Sequence, residues 1–483
     1  MSKHDDTLLE WQEKEALAEQ SVPLIGRLFR EKGVITLVYN QPLMHRSPSQ
    51  LLKHHLYVRK VENEALSIKD TVPLLEEMDR LPLNPARIDI GKLGVMWNRA
   101  GQPDVKNFLR KELAGALKGE SEKKKPRDVV LYGFGRIGRL VARLLVERTG
   151  QRDGMRLSGI VVRKPKGADL HKRAELLRRD SVHGRFWGIV DENESENAIV
   201  ANGHHAKLIY ANKPQDLDYT AYGIENAIIC DNTGIWRDEQ ALSGHLEGKG
   251  AGKVLLTAPG KGEVRNIVFG VNDDEVLTDD RILSAASCTT NAITPVLKSI
   301  HERYGIKSGH LETVHSYTND QNLIDNFHSA DRRGRSAALN MVLTSTGAAK
   351  AVAKAYAPLD GKLTGNAIRV PTPNVSMAIL MLALENEVTR HDLNEHLRNA
   401  SLHSALQKQI GYSVSDEVAS SDIVGARHTG IVDSKATIAD GHRIVLYVWY
   451  DNEFGYSMQV VRLLQKMAGI QYETYPKEEG CAV

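Results

Sequence analysis

The chain has 483 residues, enough for two or three domains with proper cores, and its 41% hydrophobic and 26% charged residues are those of an ordinary globular protein. A formal net charge of +2 gives no reason to expect nucleic acid or a membrane surface as the main partner. Three cysteines, Cys230, Cys288 and Cys481, are too few and too scattered for a disulfide framework and point to a reducing compartment.

The N-terminal stretch MSKHDDTLLEWQEKEALAEQ is acidic and has no continuous apolar core, so it reads as neither a signal nor a transit peptide. The longest apolar run, MAILMLAL from Met377 to Leu384, is too short for a bilayer. A cytoplasmic protein is expected. TLLEWQEKEALAEQSVPLIGRLF and DVKNFLRKELAGALKG space their apolar residues at three and four, which predicts a mainly helical region before residue 128. KGESEKKKPRD, Lys118 to Asp128, is charged, lacks large apolar residues and carries Pro126. It reads as a linker.

After that break the texture changes. DVVLY, RLSGIVVR, NAIIC, KVLLT and NIVFG read as short strands, alternating in part with amphipathic segments such as IGRLVARLLVERT. This alternation predicts an α/β domain on a parallel sheet. Beyond Cys288 the strands lengthen (GHLETVHSYT, NAIRVPTPN, SMAILMLALE, HRIVLYVWYD), which predicts a second, more antiparallel α+β domain.

Directly after DVVLY comes GFGRIGRLVARLL, with Gly133, Gly135 and Gly138 spaced G-x-G-x-x-G. The first glycine makes a tight turn, the second admits a pyrophosphate to the backbone, and the third lets the helix pack close to the strand. A motif that follows a strand and opens a helix in this way predicts a dinucleotide site, with the anion over the free N–H groups of the helix start. The next strand, RLSGIVVRK, would end in an acid if it bonded the ribose hydroxyls. It ends instead in Arg163 and Lys164, either two solvated charges or a site for a 2′-phosphate, hence NADP.

The stretch SAASCTTNAIT, Ser284 to Thr294, holds Cys288 ahead of a helix-like run. By residue type alone, Cys288 is either a small buried hydrophobe or a nucleophile at a helix N-terminus, where N–H groups lower a thiol pKa.

Seven segments in order, GFGRIGR, DSVHGRF, SCTTN, ETVHSYTNDQ, DRRGRSAALNMVLTSTGAAKAV, GKLTGNAIRVPTPNVS and WYDNEFGYS, resemble those of phosphorylating glyceraldehyde-3-phosphate dehydrogenases. The resemblance runs from Asp128 to Gly469. It implies a dinucleotide-binding Rossmann domain at 128–287, rejoined by a C-terminal helix at 455–472, and a catalytic domain at 288–454. Residues 1–127 have no counterpart in the short enzymes of that family. NAD or NADP is implied as cofactor, a sugar phosphate and inorganic phosphate as substrates, and a homotetramer as the assembly; no metal is implied.

Residue by residue, the resemblance makes Cys288 the nucleophile and His315 the base. Thr318 and Arg369 would hold the substrate phosphate. Ser287, Thr289, Arg333, Thr346 and Gly347 would hold the attacking inorganic phosphate. Gly133, Gly135, Arg136, Ile137, Gly138, Lys164, Thr233 and Thr257 would bind the cofactor, with Asn452 fixing the nicotinamide carboxamide and Tyr456 beside it. Three departures stand out. Ala292 replaces a second cysteine frequent in the family, Tyr132 replaces the asparagine usual before GFGRIGR, and Asn326-Phe327 replaces a Leu-Pro of NAD-specific members. The erythrose-4-phosphate relative, or a regulatory protein acting through residues 1–127, would share much of this pattern.

Overall fold

A computed structural model describes residues 3–117, 125–148, 154–330 and 332–477. Most of the proposed linker, and Cys481, lie outside them. The chain forms two compact units: Met1–Pro126 with Gln471–Ala482, and Arg127–Arg148 with Met155–Ile470.

The first unit is helical, as its apolar spacing predicts, but it also contains a sheet. The helix Lys3–Lys32 is followed by Pro48–Glu62, Ile68–Arg80, Ile90–Arg99 and Val105–Glu112. Two start with capping boxes, Ser47 with Gln50 and Ser67 with Asp70, which satisfy helix-end N–H groups that would otherwise lack partners. Four short strands run in the order Gln41–Pro42, Ile35–Val38, Arg87–Asp89, Thr474–Tyr475. The last of these comes from the C-terminal end and pairs parallel with Arg87–Asp89. Tyr475 is 2% exposed there. Strands of two to four residues are too short for an alternating pattern to show, which is why the sequence reads as helix alone.

The second unit begins with an eight-stranded sheet. Its order is Ile282–Ser284, Ala251–Leu256, Ala227–Asp231, Arg127–Tyr132, Met155–Val162, His204–Tyr210, Ala198–Ala201, Val190–Asn193. The first six strands are mutually parallel and the last two add as antiparallel neighbours. Strand order reverses at Arg127–Tyr132, so the crevice beyond its C-terminal end is where such sheets bind ligands. The helix Arg136–Arg148 leaves that strand and buries Leu140, Val141, Leu144 and Leu145. The C-terminal helix Phe454–Met467 packs in the same apolar core through Val460, Val461 and Leu464.

NIVFG is not a strand. Asn266 makes only an isolated bridge to Ser284, and the Asn272 side chain accepts from Val268 N–H at 2.8 Å. Asparagine side chains compete with a ladder for the backbone, and here they win.

The third layer of the chain is a seven-strand sheet path ordered Val342–Ser345, Leu363–Val370, Ile306–Ser316, Ser376–Leu384, Arg443–Tyr450, Gly430–Asp433, Ile410–Ser413. It is mixed rather than simply antiparallel, because Ile306–Ser316 pairs parallel with Leu363–Val370 and Ile410–Ser413 with Gly430–Asp433. The helix Cys288–Tyr304 covers it with Ile293, Val296, Leu297 and Ile300. No described helix is long and apolar enough to cross a membrane.

Candidate active site

Cys288 opens the helix Cys288–Tyr304, directly beyond the strand Ile282–Ser284. The connecting turn is strained: Ala286 sits at φ 54°, a region unfavourable for a residue with a Cβ. Its N–H donates to Ser284 Oγ at 3.0 Å, and its carbonyl accepts from Tyr456 O–H at 3.0 Å. Ser287 is the N-cap, its Oγ accepting from Thr290 N–H at 3.0 Å.

His315 lies near the end of the strand Ile306–Ser316, and its Nε2 is 3.5 Å from Cys288 Sγ. Its Nδ1 is 2.7 Å from the Ser316 carbonyl and 3.0 Å from Arg369 Nη1, so Nε2 is the ring nitrogen that faces the thiol. Burial and the Arg369 guanidinium together hold the imidazole down to about 3. Burial pushes the Cys288 thiol up, against the pull of Arg369 and the helix-start N–H groups of Cys288 and Thr289. The helix N-terminus therefore lowers the thiol less than desolvation raises it, contrary to the expectation from sequence. At rest the pair is neutral.

Arg369 arrives on the neighbouring strand, in register with His315. Its Nη1 donates to Ser316 O at 3.0 Å and Thr318 Oγ1 at 3.3 Å. Thr318 in turn donates to Asp320, and Asp320 pairs with Arg333. Thr318, Arg333 and Arg369 thus form one cationic cluster around a carboxylate that sequence reasoning did not single out. Asp320 was visible in ETVHSYTNDQ, but no spacing distinguished it from a surface acid.

The other phosphate candidates are differently engaged. Thr289 is buried and its Oγ1 lies 3.0 Å from the Tyr450 hydroxyl. Ser287 Oγ is committed to the helix cap. Thr346 Oγ1 accepts from Ala348 N–H at 3.2 Å, and Gly347 is the N-cap position of the helix Ala348–Ala355. No hydrogen bond among the described residues joins Thr346 or Gly347 to Arg333.

The glycine turn fits a dinucleotide. Gly133 has φ 95°, and a Cβ on Gly138 would stand 2.4 Å from Gly133 O, so both are required by the backbone itself. A Cβ on Gly135 would meet nothing within 4 Å. That glycine is needed only if something else approaches. Ile137 follows in the first turn of the helix and packs against the core. A cavity of about 280 Å³ opens beside the turn, lined by Tyr132, Gly133, Gly135, Thr233 and Trp236 among others. Thr257 sits next to it, donating to Asp231 O at 3.0 Å and Asn232 Oδ1 at 3.2 Å.

Arg163 lines the cavity and Lys164 does not, the reverse of the weight placed on Lys164. Both residues are exposed, just beyond the end of the strand Met155–Val162. The Arg136 side chain is held by two carboxylates. It donates to both Glu453 and Asp180, Nη2 reaching Glu453 Oε2 at 2.5 Å and Nη1 reaching Asp180 Oδ2 at 3.1 Å. Only its backbone N–H, at the helix start, can serve a pyrophosphate.

At the far end of the site, the Asn452 Oδ1 accepts from Ser376 O–H at 2.9 Å, leaving its NH₂ as a donor. Ser376 Oγ also accepts from Ser316 N–H at 3.1 Å, which ties Asn452 to the strand that carries His315. Tyr456 is buried beside Ala286. Of the three departures, Ala292 is buried with the nucleophile helix, and Tyr132 packs edge-on against Trp236 and His245. Phe327 is 90% exposed.

A parallel sheet with a glycine turn at its switch point, joined to a sheet that brings a histidine to a helix-start cysteine, is the architecture of a dinucleotide-dependent dehydrogenase. Comparison with known proteins agrees. Residues 127–239 match the family model of the glyceraldehyde 3-phosphate dehydrogenase NAD binding domain, and 287–452 match its C-terminal domain. The chain belongs to the glyceraldehyde-3-phosphate dehydrogenase family and is an NAD-binding oxidoreductase. A glyceraldehyde-3-phosphate dehydrogenase-like protein of Pseudomonas aeruginosa is 54% identical over 460 residues, 94% of this chain and 100% of the relative. The glyceraldehyde-3-phosphate dehydrogenase of Borreliella burgdorferi is 40% identical over 70% of this chain and 99% of its own length. That of Thermotoga maritima is 41% identical over 70% of this chain and 98% of its own.

Proposed function

We propose that the chain converts glyceraldehyde 3-phosphate and inorganic phosphate to 1,3-bisphosphoglycerate, or the reverse, through a covalent intermediate on Cys288. The observation that carries this is the 3.5 Å approach of Cys288 Sγ to His315 Nε2, the imidazole nitrogen placed to take the thiol proton. An aldehyde releases hydride only from a tetrahedral carbon bearing an oxyanion, and addition of sulfur creates one. As Sγ adds to the carbonyl carbon, His315 Nε2 receives the thiol proton and passes it to the new alkoxide. His315 then takes that proton back from the thiohemiacetal hydroxyl as the C–H bond breaks. Bound nicotinamide supplies the acceptor for the hydride. The thioester left on Cys288 is cleaved when a phosphate oxygen attacks its carbonyl, forming the acyl phosphate and returning the sulfur.

Arg369 and Thr318 hold the phosphate of the substrate, and Arg333 with the hydroxyl and N–H groups of Ser287, Thr289, Thr346 and Gly347 serves the attacking phosphate. Guanidinium forks matched to phosphate oxygens suit this work. Gly133, Gly135, Gly138 and the N–H groups of Arg136 and Ile137 cradle the pyrophosphate. Thr233 lines the cavity, Thr257 bonds the neighbouring Asn232, and the Asn452 amide donates to the nicotinamide carboxamide. Arg163, on the cavity wall at the strand end, supports use of NADP at least as readily as NAD. Exposed Leu323, Ile324, Phe327, Leu339 and Met341, each more than 70% exposed, support assembly of several copies, in keeping with a homotetramer.

One assay tests the reading: reduction of NAD and of NADP, measured separately, with glyceraldehyde 3-phosphate and with or without inorganic phosphate. Sustained turnover that requires phosphate is expected. Equal turnover without phosphate, or none with this aldehyde, overturns it.

A further inference from the structure

We propose that His183 and Glu453 are positioning residues for hydride transfer: with Arg136 they tie the helix start that holds the cofactor pyrophosphate to the turn that carries Asn452. The inference rests on the dinucleotide reading of the site and gives the segment DSVHGRF a function. Arg136 opens the helix Arg136–Arg148, at the pyrophosphate end of the cofactor. Asn452, at the nicotinamide end, is followed at once by Glu453. Although 317 positions separate them, the Arg136 guanidinium grips the Glu453 carboxylate with two nitrogens, Nε on Oε1 and Nη2 on Oε2. The same guanidinium reaches both oxygens of Asp180, at 3.1 and 3.2 Å. Asp180 Oδ1 accepts the N–H groups of Val182 and His183 at 2.9 Å each, which shapes the turn that brings His183 Nε2 to Glu453 Oε2 at 3.1 Å.

Asp451, fully buried, closes the cluster on the other side of Asn452. Its Oδ1 accepts the N–H groups of Glu453 and Phe454 at 2.9 and 2.7 Å, and its Oδ2 accepts Gly425 N–H at 2.8 Å. The backbone beside Asn452 is thereby fixed, while Ser376 holds its side chain. The buried His183 ring lies against Phe454, with centroids 5.6 Å apart. Burial opposes the Glu453 charge, but the bonds from His183 and Arg136 outweigh it and hold the carboxyl below its usual range. Buried ion pairs add little stability over apolar packing of the same volume. What this cluster supplies is geometry, because a guanidinium fork has one seat where an apolar contact can slide. Hydride transfer needs that precision: a misplacement of about 1 Å costs roughly 10²-fold in rate. Among the described residues, neither His183 nor Glu453 hydrogen-bonds Cys288, His315 or Arg369, so both act through Asn452 and Arg136.

The test compares wild type, Glu453→Gln and His183→Phe as full-length proteins, by the single-turnover rate of NADH formation with glyceraldehyde 3-phosphate. Glu453→Gln should lower that rate by about 10- to 100-fold and His183→Phe by about three- to tenfold. Affinity for ADP-ribose, which has the pyrophosphate but no nicotinamide, should move by less than about twofold, as should the rate of Cys288 alkylation by iodoacetamide. Once Asn452→Ala has removed the amide, His183→Phe should cost less than about twofold more, because both changes act on one contact. His183→Phe keeps a ring against Phe454 and leaves Glu453 paired with Arg136, so it folds and keeps the test decisive whatever Glu453→Gln does to the fold. A wild-type rate in His183→Phe, ADP-ribose binding that falls as far as the rate, or full additivity with Asn452→Ala overturns the positioning role. Phosphate-dependent NAD reduction by wild type then shows that the dehydrogenase reading stands. Absence of that activity in wild type shows that the broader reading fails as well.

Discussion

Arg369 and His315 share one acceptor, the carbonyl of Ser316, with Nη1 at 3.0 Å and Nδ1 at 2.7 Å. The shared oxygen holds the Arg369 guanidinium 3.0 Å from His315 Nδ1, a permanent cation beside the thiol–imidazole pair. A cation there stabilises a thiolate and opposes an imidazolium, so its two effects have opposite signs. Arg369→Gln should therefore shift the alkylation of Cys288 to higher pH. The rate of iodoacetamide reaction followed against pH measures this, and an unmoved profile would show that Arg369 does not act on the thiol.

Cys288→Ser should abolish aldehyde oxidation while leaving NAD affinity within about twofold, since a neutral alcohol is a far poorer nucleophile than a thiolate. His315→Asn should slow oxidation by roughly 10²–10⁴-fold, the usual worth of a positioned base. Single-turnover kinetics separate these from losses in cofactor binding. A serine variant that keeps more than a few per cent of wild-type turnover would exclude the covalent route.

The buried His315 also predicts a pH dependence of stability. An unfolded histidine takes up its proton near pH 6.5, whereas the folded site resists until about 3. Between those values the unfolded chain binds more protons, so stability falls as pH falls. His315→Asn should reduce this slope by about 1 kcal/mol per pH unit below pH 6. Urea unfolding at pH 7, 6 and 5 compares the two proteins; parallel pH profiles would contradict the assignment.

The three glycines should separate by experiment. Gly138→Ala places a Cβ 2.4 Å from a backbone oxygen, so both thermal stability and NAD affinity should drop. Gly135→Ala meets open space, so the unfolding midpoint should stay within about 2 °C while NAD affinity falls at least tenfold. Were NAD to bind Gly135→Ala normally, the pyrophosphate would have to lie elsewhere.

The strand Thr474–Tyr475 completes a sheet otherwise made of residues 35–89, and Tyr475 is buried in it. Tyr475→Ala should destabilise that unit by about 3 kcal/mol, as for other buried aromatic truncations. A fragment of residues 127–470 should accordingly be better behaved than one of 127–483, which keeps the strand but loses its sheet. Limited proteolysis of the two fragments reads this directly.

Local chemistry was legible from the chain itself. The glycine turn, the helix opening at Cys288 and the long strands of the second sheet each write their reason into consecutive residues, through a turn conformation or an apolar period. The motifs that hold Cys288 and His315 also named two residues that the fold brings within 3.5 Å of each other. The tertiary structure alone decided how those residues are wired. Asp320 joins Thr318 to Arg333, Asp180 and Glu453 take the Arg136 side chain, and Tyr450 occupies Thr289, all across contacts between segments distant in sequence. Electrostatic balance was decided there too, because desolvation depends on everything packed around a group. The nucleophile's thiol was pushed up despite its helix-start position. The same holds for the strand end: residue types showed two adjacent cations, but only folding could set Arg163 beside the cavity and bring Arg173 to the same wall.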